Sequence, residues 1–510
     1  MDMLSALDAT FIYLESEHSP MAIGAVYVID ADDAPAGFSY QTWYALVKSR
    51  LKLSRVFRQR LVEVPLSLSY PYWIKDPGFD LDAHLPNVCL PNPGGMAELM
   101  KVAADTWGRV LDRERPLWDI TFVTGINSIR GIAKNSFALI TRVHHAAVDG
   151  KASTEMMTAL LDVTPDIRSI EAEDDWEPEE LPSNMDVIAR SWSKAAKKAL
   201  ELAGFVGKTA VETAQLQTER LLKRIEPPPR LLSAPPTIFN QSINSARTFW
   251  GKNFDFERVR AIRKAVPGVT INDVVLAICA GGLRRYLAAR DELPVKPLVA
   301  MAPISVRGEE EGTGNQVSAM LVSLATDIDN PLDRLAHIRA NTQRSKIHAG
   351  ALPANKITEF LPSETLAAAA RIYTRTRLGG HHRPFFNVTI TNVPGPPVPL
   401  YVAGARIHSA FGMAPILDGL GLILVVLSYH GRISIGISSC EQIVPDPGNM
   451  AECIERSLDE LEHAISQAGS VLKTAGQPMT EVASPETSDA LKEFRDASKA
   501  LDKAIDSLGD

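Results

Sequence analysis

Between residues 171 and 229 the mixture of strand-like and helical patterning that fills the rest of this chain stops, and that interruption limits the possible folds more than any other feature. Residues 171–180 carry seven acidic side chains and one proline, a composition that stays in solvent as loop. Residues 185–225 are free of proline and rich in Ala, Leu, Lys and Glu, which predicts helix with a break near Gly204 and Gly207. Pro227, Pro228 and Pro229 end it. Ahead of this segment a strand is predicted over 22–29 and a helix over 96–111. Beyond it a helix is predicted over 272–289 and strands over 298–302, 386–391 and 421–429. A chain of 510 residues exceeds one ordinary core, given roughly 100–200 residues per domain. The expected architecture is therefore α/β (α+β): a first lobe over 1–170, an acidic and helical linker over 171–248, and a second lobe over 249–470. A tail follows over 471–510, Pro/Ser/Thr/Gly-rich at first. Leu491, Phe494, Leu501, Ile505 and Leu508 then recur at the spacing of an amphipathic helix. Two lobes invite a site between them.

Several function classes are excluded or disfavoured at this level. A formal net charge of −8 does not advertise the basic face that phosphate backbones require, so no nucleic-acid partner is expected. Cys89, Cys279, Cys440 and Cys453 are widely separated and form neither a disulfide framework nor a metal-binding CxxC pair. The first ten residues lack a basic stretch followed by an apolar one, so a cytoplasmic location is expected. The most apolar run, residues 420–427, is far short of the ~20 residues of a spanning helix and reads as a buried strand.

The chemistry concentrates in NSFALITRVHHAAVDGKASTEMM, residues 135–157. Residues 137–143 read as a strand, 144–150 as a turn and 152–161 as a helix, which places His144 and His145 at a strand end. A neutral imidazole is the side chain best suited to take a proton near pH 7 and return it within one turnover. Asp149 can fold back across the turn and fix it, and Gly150 gives the backbone freedom where the helix begins. Two other readings exist. The histidines could bind metal, but neighbours on a strand point to opposite faces and no local Cys/His pair completes a site. They could also be satisfied structural histidines, the default for a lone His, though less so for a whole HHxxxDG arrangement on a strand–turn–helix.

The string HHAAVDG resembles the HHxxxDG signature of the CoA-dependent acyltransferase superfamily, which includes chloramphenicol acetyltransferase and peptide-synthetase condensation domains. Within it the chain is most similar to the bacterial wax ester synthase/diacylglycerol acyltransferases. LDATFIYLESEHSPMAIG near the start, RPLW at 115–118, TINDVVLAICAGGLRRYL from Thr270, EGTGNQVSAMLVSLATD from Glu311 and FNVTITNVPGP from Phe386 recur in order, spanning residues 4–465. The resemblance implies two chloramphenicol-acetyltransferase-like lobes with an inter-lobe tunnel, joined by a helical linker. It implies His145 as general base, His144 as its positioning neighbour and Asp149 as the aspartate that holds the loop. Asn272 and Asp273 match the family's second-lobe ND motif, and Pro116, Leu117 and Trp118 its PLW motif. Pro-Leu-Trp is equally an ordinary start to a packed strand. His381 and His382 form a second pair where the family pattern calls for none, and read as surface loop.

The implied reaction transfers a long-chain acyl group from acyl-CoA to a fatty alcohol or diacylglycerol. No metal and no cofactor are called for, because acyl-CoA is a substrate. No Ser or Cys nucleophile elbow is present, so both substrates are expected to bind together, with Asn272 as the leading polar group at the oxyanion. In residues 185–225, Lys194, Lys197, Lys198, Lys208, Lys223 and Arg224 lie beside Leu200, Leu202, Phe205, Val206, Leu221 and Leu222. Such a segment packs on its own lobes or lies on a membrane or lipid-droplet surface. The competing functions are a condensation-type or polyketide-associated acyltransferase and a non-catalytic lipid-binding protein of the same fold.

Overall fold

A computed structural model describes residues 2–32, 34, 38–148, 150–168, 176–183, 186, 234–305, 317–349, 363–380 and 383–475. Asp149, His381, His382, the predicted linker helix apart from its residue 186, and the predicted tail helix lie outside the described residues.

The first half opens with β1 (Asp2–Met3) and α1 (Ala6–Leu14), whose start is capped by Ser5 Oγ accepting the Asp8 N–H at 3.1 Å. Next come β2 (Ala22–Asp30), α2 (Tyr40–Arg50), β3 (Gln59–Val62), β4 (Tyr72–Lys75) and β5 (Asn87–Cys89). Then α3 (Met96–Trp107) buries Leu99, Met100, Ala103, Ala104 and Trp107 at helical spacing. The half closes with β6 (Trp118–Thr124), β7 (Phe137–His144) and α4 (Gly150–Leu160). The predicted strand over 137–143, turn and helix are all present.

The second half contains β8 (Arg247–Asp255), α5 (Phe256–Ala265), α6 (Ile271–Ala288), β9 (Val299–Ser305), β10 (Val317–Ser323), α7 (Pro331–Ala349) and α8 (Ser363–Arg375). It continues through β11 (Val388–Pro394), β12 (Tyr401–Val402), β13 (Ala405–Met413), β14 (Ile423–Tyr429) and β15 (Arg432–Cys440). It ends on the long helix α9 (Pro447–Ala475), which runs past the start of the stretch read as linker from composition. Among the described residues, no helix is long and apolar enough to cross a membrane.

Two six-stranded sheets result. One has the order β10-β9-β11-β14-β15-β8, all from the second half; the other has the order β12-β13-β2-β7-β6-β5. Strands β12 and β13 thus leave their own half and complete the sheet of the first, β13 pairing antiparallel with β2 from Met413↔Gly24 to Arg406↔Asp30. A division made strictly along the chain does not foresee this exchange. Where β13 crosses the second sheet the contacts are so close that only glycine fits. A Cβ on Gly436 of β15 would stand 2.0 Å from the Gly412 carbonyl oxygen, and one on Gly251 of β8 would stand 2.4 Å from the Phe411 ring. The core is correspondingly continuous: Val26, Leu99, Trp107 and Ile140 of the first half belong to one buried cluster with Phe249, Leu283, Val426 and Leu458 of the second.

Candidate active site

The histidine pair sits where three backbone bonds converge. The His144 N–H donates to the Leu117 carbonyl at 2.9 Å, and the His145 N–H to the Met21 carbonyl at 2.8 Å. The Ala146 N–H donates back to His144 Nδ1 at 3.0 Å. That last bond sets His144 chemically: Nδ1 is the acceptor, so the proton of the neutral ring resides on Nε2. His144 is fully buried, and its Nε2 faces Glu15 Oε1 at 3.3 Å, close enough for electrostatic attraction but not aligned as a good hydrogen bond.

Glu15 is the residue that sequence reading missed. It terminates α1 and is itself buried. Its Oε1 accepts the Met21 N–H at 3.1 Å, and its Oε2 accepts Arg113 Nε at 3.2 Å and Nη2 at 3.0 Å. Burial alone would raise the Glu15 carboxyl, but the His144 imidazole, Arg113 and the Met21 amide together bring it below the ordinary carboxylate value. One signal for Glu15 exists in the sequence. A carboxylate at the C-terminal end of an apolar helix faces the negative end of the helix dipole, so it implies a partner elsewhere in the chain.

His145 opens a short turn over His145–Ala147. The Phe11 ring lies on its imidazole, with centroids 3.9 Å apart and planes 17° from parallel. Nδ1 is buried without a well-formed hydrogen-bond partner, whereas Nε2 is not enclosed in this way. Burial pushes the imidazole below its ordinary value; its own carbonyl offsets this in part and neighbouring His144 adds to it. Near pH 7 the ring is neutral and ready to accept a proton.

The remaining predicted residues fall into separate roles. Leu117 supplies the carbonyl that holds His144. Trp118 is buried in the first half's core, donates Nε1–H to the Phe57 carbonyl at 2.9 Å and stacks on His84 at 4.5 Å. Pro116 forms an isolated bridge with Arg60. Gly150 begins α4, whose far end is clamped by Arg50: Nη1 donates to the Ala159 and Leu160 carbonyls, and Nη2 to Asp162 at 2.6 Å. Asp162 in turn bridges to Tyr401 of β12, so the exchanged strand is tied to the helix that follows the motif.

In the second half Asp273 is consumed by structure. Its Oδ2 accepts the Thr270 N–H at 2.9 Å and hydroxyl at 2.7 Å, closing a capping box on α6, and its Oδ1 accepts Thr342 Oγ1 at 2.6 Å. Asn272 points elsewhere: its Oδ1 accepts Asn392 Nδ2 at 3.3 Å. Among the described residues no group of three His, Cys, Asp or Glu side chains is placed to hold a metal ion.

Comparison with known proteins places this geometry in a family. The model of the wax ester synthase/diacylglycerol acyltransferase catalytic domain matches residues 4–275, and that of the WS/DGAT C-terminal domain matches residues 313–462. A protein named as a putative diacylglycerol O-acyltransferase from Mycobacterium tuberculosis is 32% identical over 470 residues, 90% of each chain. The O-acyltransferase WSD of Acinetobacter baylyi is 31% identical over 476 residues, 92% of this chain and 98% of that one. The solved wax ester synthase/diacylglycerol acyltransferase from Marinobacter aquaeolei superposes with a TM-score of 0.64 at 28% identity, covering 91% of this chain and all of that one. The first condensation domain of the calcium-dependent antibiotic synthetase shares the fold alone, at 13% identity and a TM-score of 0.50. With both family models matched in order, the first enclosing the His144/His145 turn, the chain belongs to the wax ester synthase/diacylglycerol acyltransferase family of acyltransferases.

Proposed function

We propose that this acyltransferase moves a long-chain acyl group from acyl-CoA to the hydroxyl of a fatty alcohol or diacylglycerol, with His145 as the general base. The observation that carries the reading is the state of the His145 imidazole, which is half-buried, neutral near pH 7 and enclosed at Nδ1 but not at Nε2. Nε2 takes the proton of the acceptor hydroxyl as its oxygen attacks the thioester carbonyl; the C–S bond then breaks and the proton passes to the departing CoA sulfur. Asn272, whose Oδ1 is occupied by Asn392 and whose amide remains a donor, is the polar group assigned to the oxyanion. Asp149 is assigned to holding the loop. No cofactor takes part, since the acyl donor arrives already activated. Each buried CH₂ of an alkyl chain contributes about 0.8 kcal/mol, so an apolar channel between the lobes supplies most of the binding. Attachment to a membrane or droplet surface is assigned to the Lys- and Leu-bearing residues 185–225.

The test is ester formation and CoA release from palmitoyl-CoA with a panel of alcohols, diacylglycerols and amines. His145→Ala is expected to fold and to lose turnover by a factor of ~10² to 10⁴. Near-normal ester synthesis by the folded variant sinks the mechanism, and transfer to amines in preference to alcohols points to condensation-type chemistry.

A further inference from the structure

We propose that Phe11 is a positioning residue for His145: its ring, laid flat on the imidazole, holds the plane of the base and leaves only its Nε2 edge to a substrate oxygen. The inference rests on the reading of His145 as the base.

Three features make the contact more than incidental packing. The two rings are nearly parallel at 3.9 Å, so an imidazole turned out of its present plane collides with the phenyl face. Phe11 is rigidly mounted: the Glu15 N–H donates to its carbonyl at 3.1 Å, and Glu15 is anchored through Arg113 and the Met21 amide. Phe11 and Glu15, four residues apart on one face of α1, address the pair separately, the ring on His145 and the carboxylate beside His144. Third, α1 is itself held down, with Ala6, Ala9 and Ile12 buried in a cluster that includes Ala22 and Ala146 beside the histidine turn. Among the described residues, no well-formed hydrogen bond to His145 Nδ1 fixes the ring, which is left with its own carbonyl nearby. The phenyl face takes the orienting role that a carboxylate plays for many catalytic histidines.

Among the described residues, the titratable and charged groups around this imidazole come from β7, α1 and α8. His144 stands next to it on β7. From α1 comes Glu15, already paired with Arg113, while Arg371 of α8, the helix packed against α1, is turned to Ser67 at 2.9 Å. Removing the phenyl ring leaves those groups in place and admits water to one face of the imidazole, so the acid limb of the rate profile moves to higher pH.

The experiment compares Phe11→Leu, Phe11→Ala and Phe11→Tyr with wild type in the palmitoyl-CoA and fatty-alcohol assay, each first checked for a wild-type-like thermal melt. Phe11→Leu and Phe11→Ala are expected to lower kcat by about 3- to 10-fold, the factor to which one lost aromatic pair corresponds. KM stays within about two-fold and the acid limb of kcat moves up in Phe11→Ala, while Phe11→Tyr, which keeps the flat ring, retains kcat. Wild-type kcat with an unmoved limb in both ring-less variants overturns the inference, as does a change confined to KM, which would make Phe11 a substrate contact. His145→Ala run in parallel separates the two levels. If it remains active the base assignment itself falls, and if it is inactive while the Phe11 variants are unaffected, only the positioning role falls.

Discussion

Glu15→Gln tests the buried support beneath the histidine pair. The native carboxylate accepts from the Met21 amide at 3.1 Å and from Arg113 at 3.2 and 3.0 Å, and stands 3.3 Å from His144 Nε2. Glutamine keeps one acceptor oxygen and turns an NH₂ either to Arg113 or to Met21 and His144, donor against donor. Breaking a fully buried pair costs about 3–5 kcal/mol. Here Arg113 keeps Glu63 at 2.7 Å and the Ile12 carbonyl at 2.9 Å and reaches solvent, so its charge is not stranded. The loss reduces to that of a charge-assisted bond, about 1.5–3 kcal/mol of stability. Activity falls further than folding requires, because His144 loses the group that favours its Nε2–H tautomer. The Ala146 N–H bond to Nδ1 then weakens, and one such bond corresponds to roughly a ten-fold loss in kcat. Thermal or denaturant melts and kcat on one preparation read both effects. The pH dependence adds a third. The folded-state pKa of Glu15 lies below its unfolded value, so its stabilisation is present above the ordinary carboxylate range and is lost as pH falls through the lower folded value. Wild type should therefore show an acid-induced loss of stability that Glu15→Gln lacks. A variant that melts and turns over like wild type refutes the reasoning.

Two further outcomes follow from the same geometry. Because burial lowers the His145 pKa, the neutral base persists to lower pH than free imidazole, and the acid limb of kcat/KM should fall below the ordinary value of 6.5; a limb above it contradicts the partial burial of the ring. Gly436→Ala puts a methyl 2.0 Å from a backbone oxygen that has no room to retreat, and should cost at least about 1–3 kcal/mol in denaturant unfolding; a neutral result means that the two sheets lie further apart than described.

How much of this was legible in the sequence depended on how local the signal was. The strand, turn and helix around His144 and His145 are written in consecutive residues, by apolar β-patterning up to Val143 and a glycine at the turn's end, and the strand and helix appear within two residues of where the pattern puts them. The same holds for α6, whose Thr270 and Asp273 box is a short-range start signal. What was not legible is pairing across distance. Nothing near Glu15 names His144, 129 positions away, and nothing in residues 405–413 says that β13 bonds to β2 and not to a neighbour in its own half. Trp118 shows the opposite limit: the motif was found, but only the fold shows its indole buried and bonded to Phe57.

The exchanged strand has a consequence for how the molecule is made. During synthesis β2 is complete almost at once, yet its partner on that side, β13, is separated from it by nearly four hundred residues. Until the ribosome has delivered Met413, the sheet that carries the histidine pair has a bare edge of backbone amides and carbonyls along residues 24–30, of the kind that captures foreign strands. Late closure over so long a loop is slow. A fragment ending at residue 275, where the catalytic-domain match stops, would keep both histidines and yet never close that sheet. The two halves are better regarded as one cooperative object whose last stitch comes from far downstream.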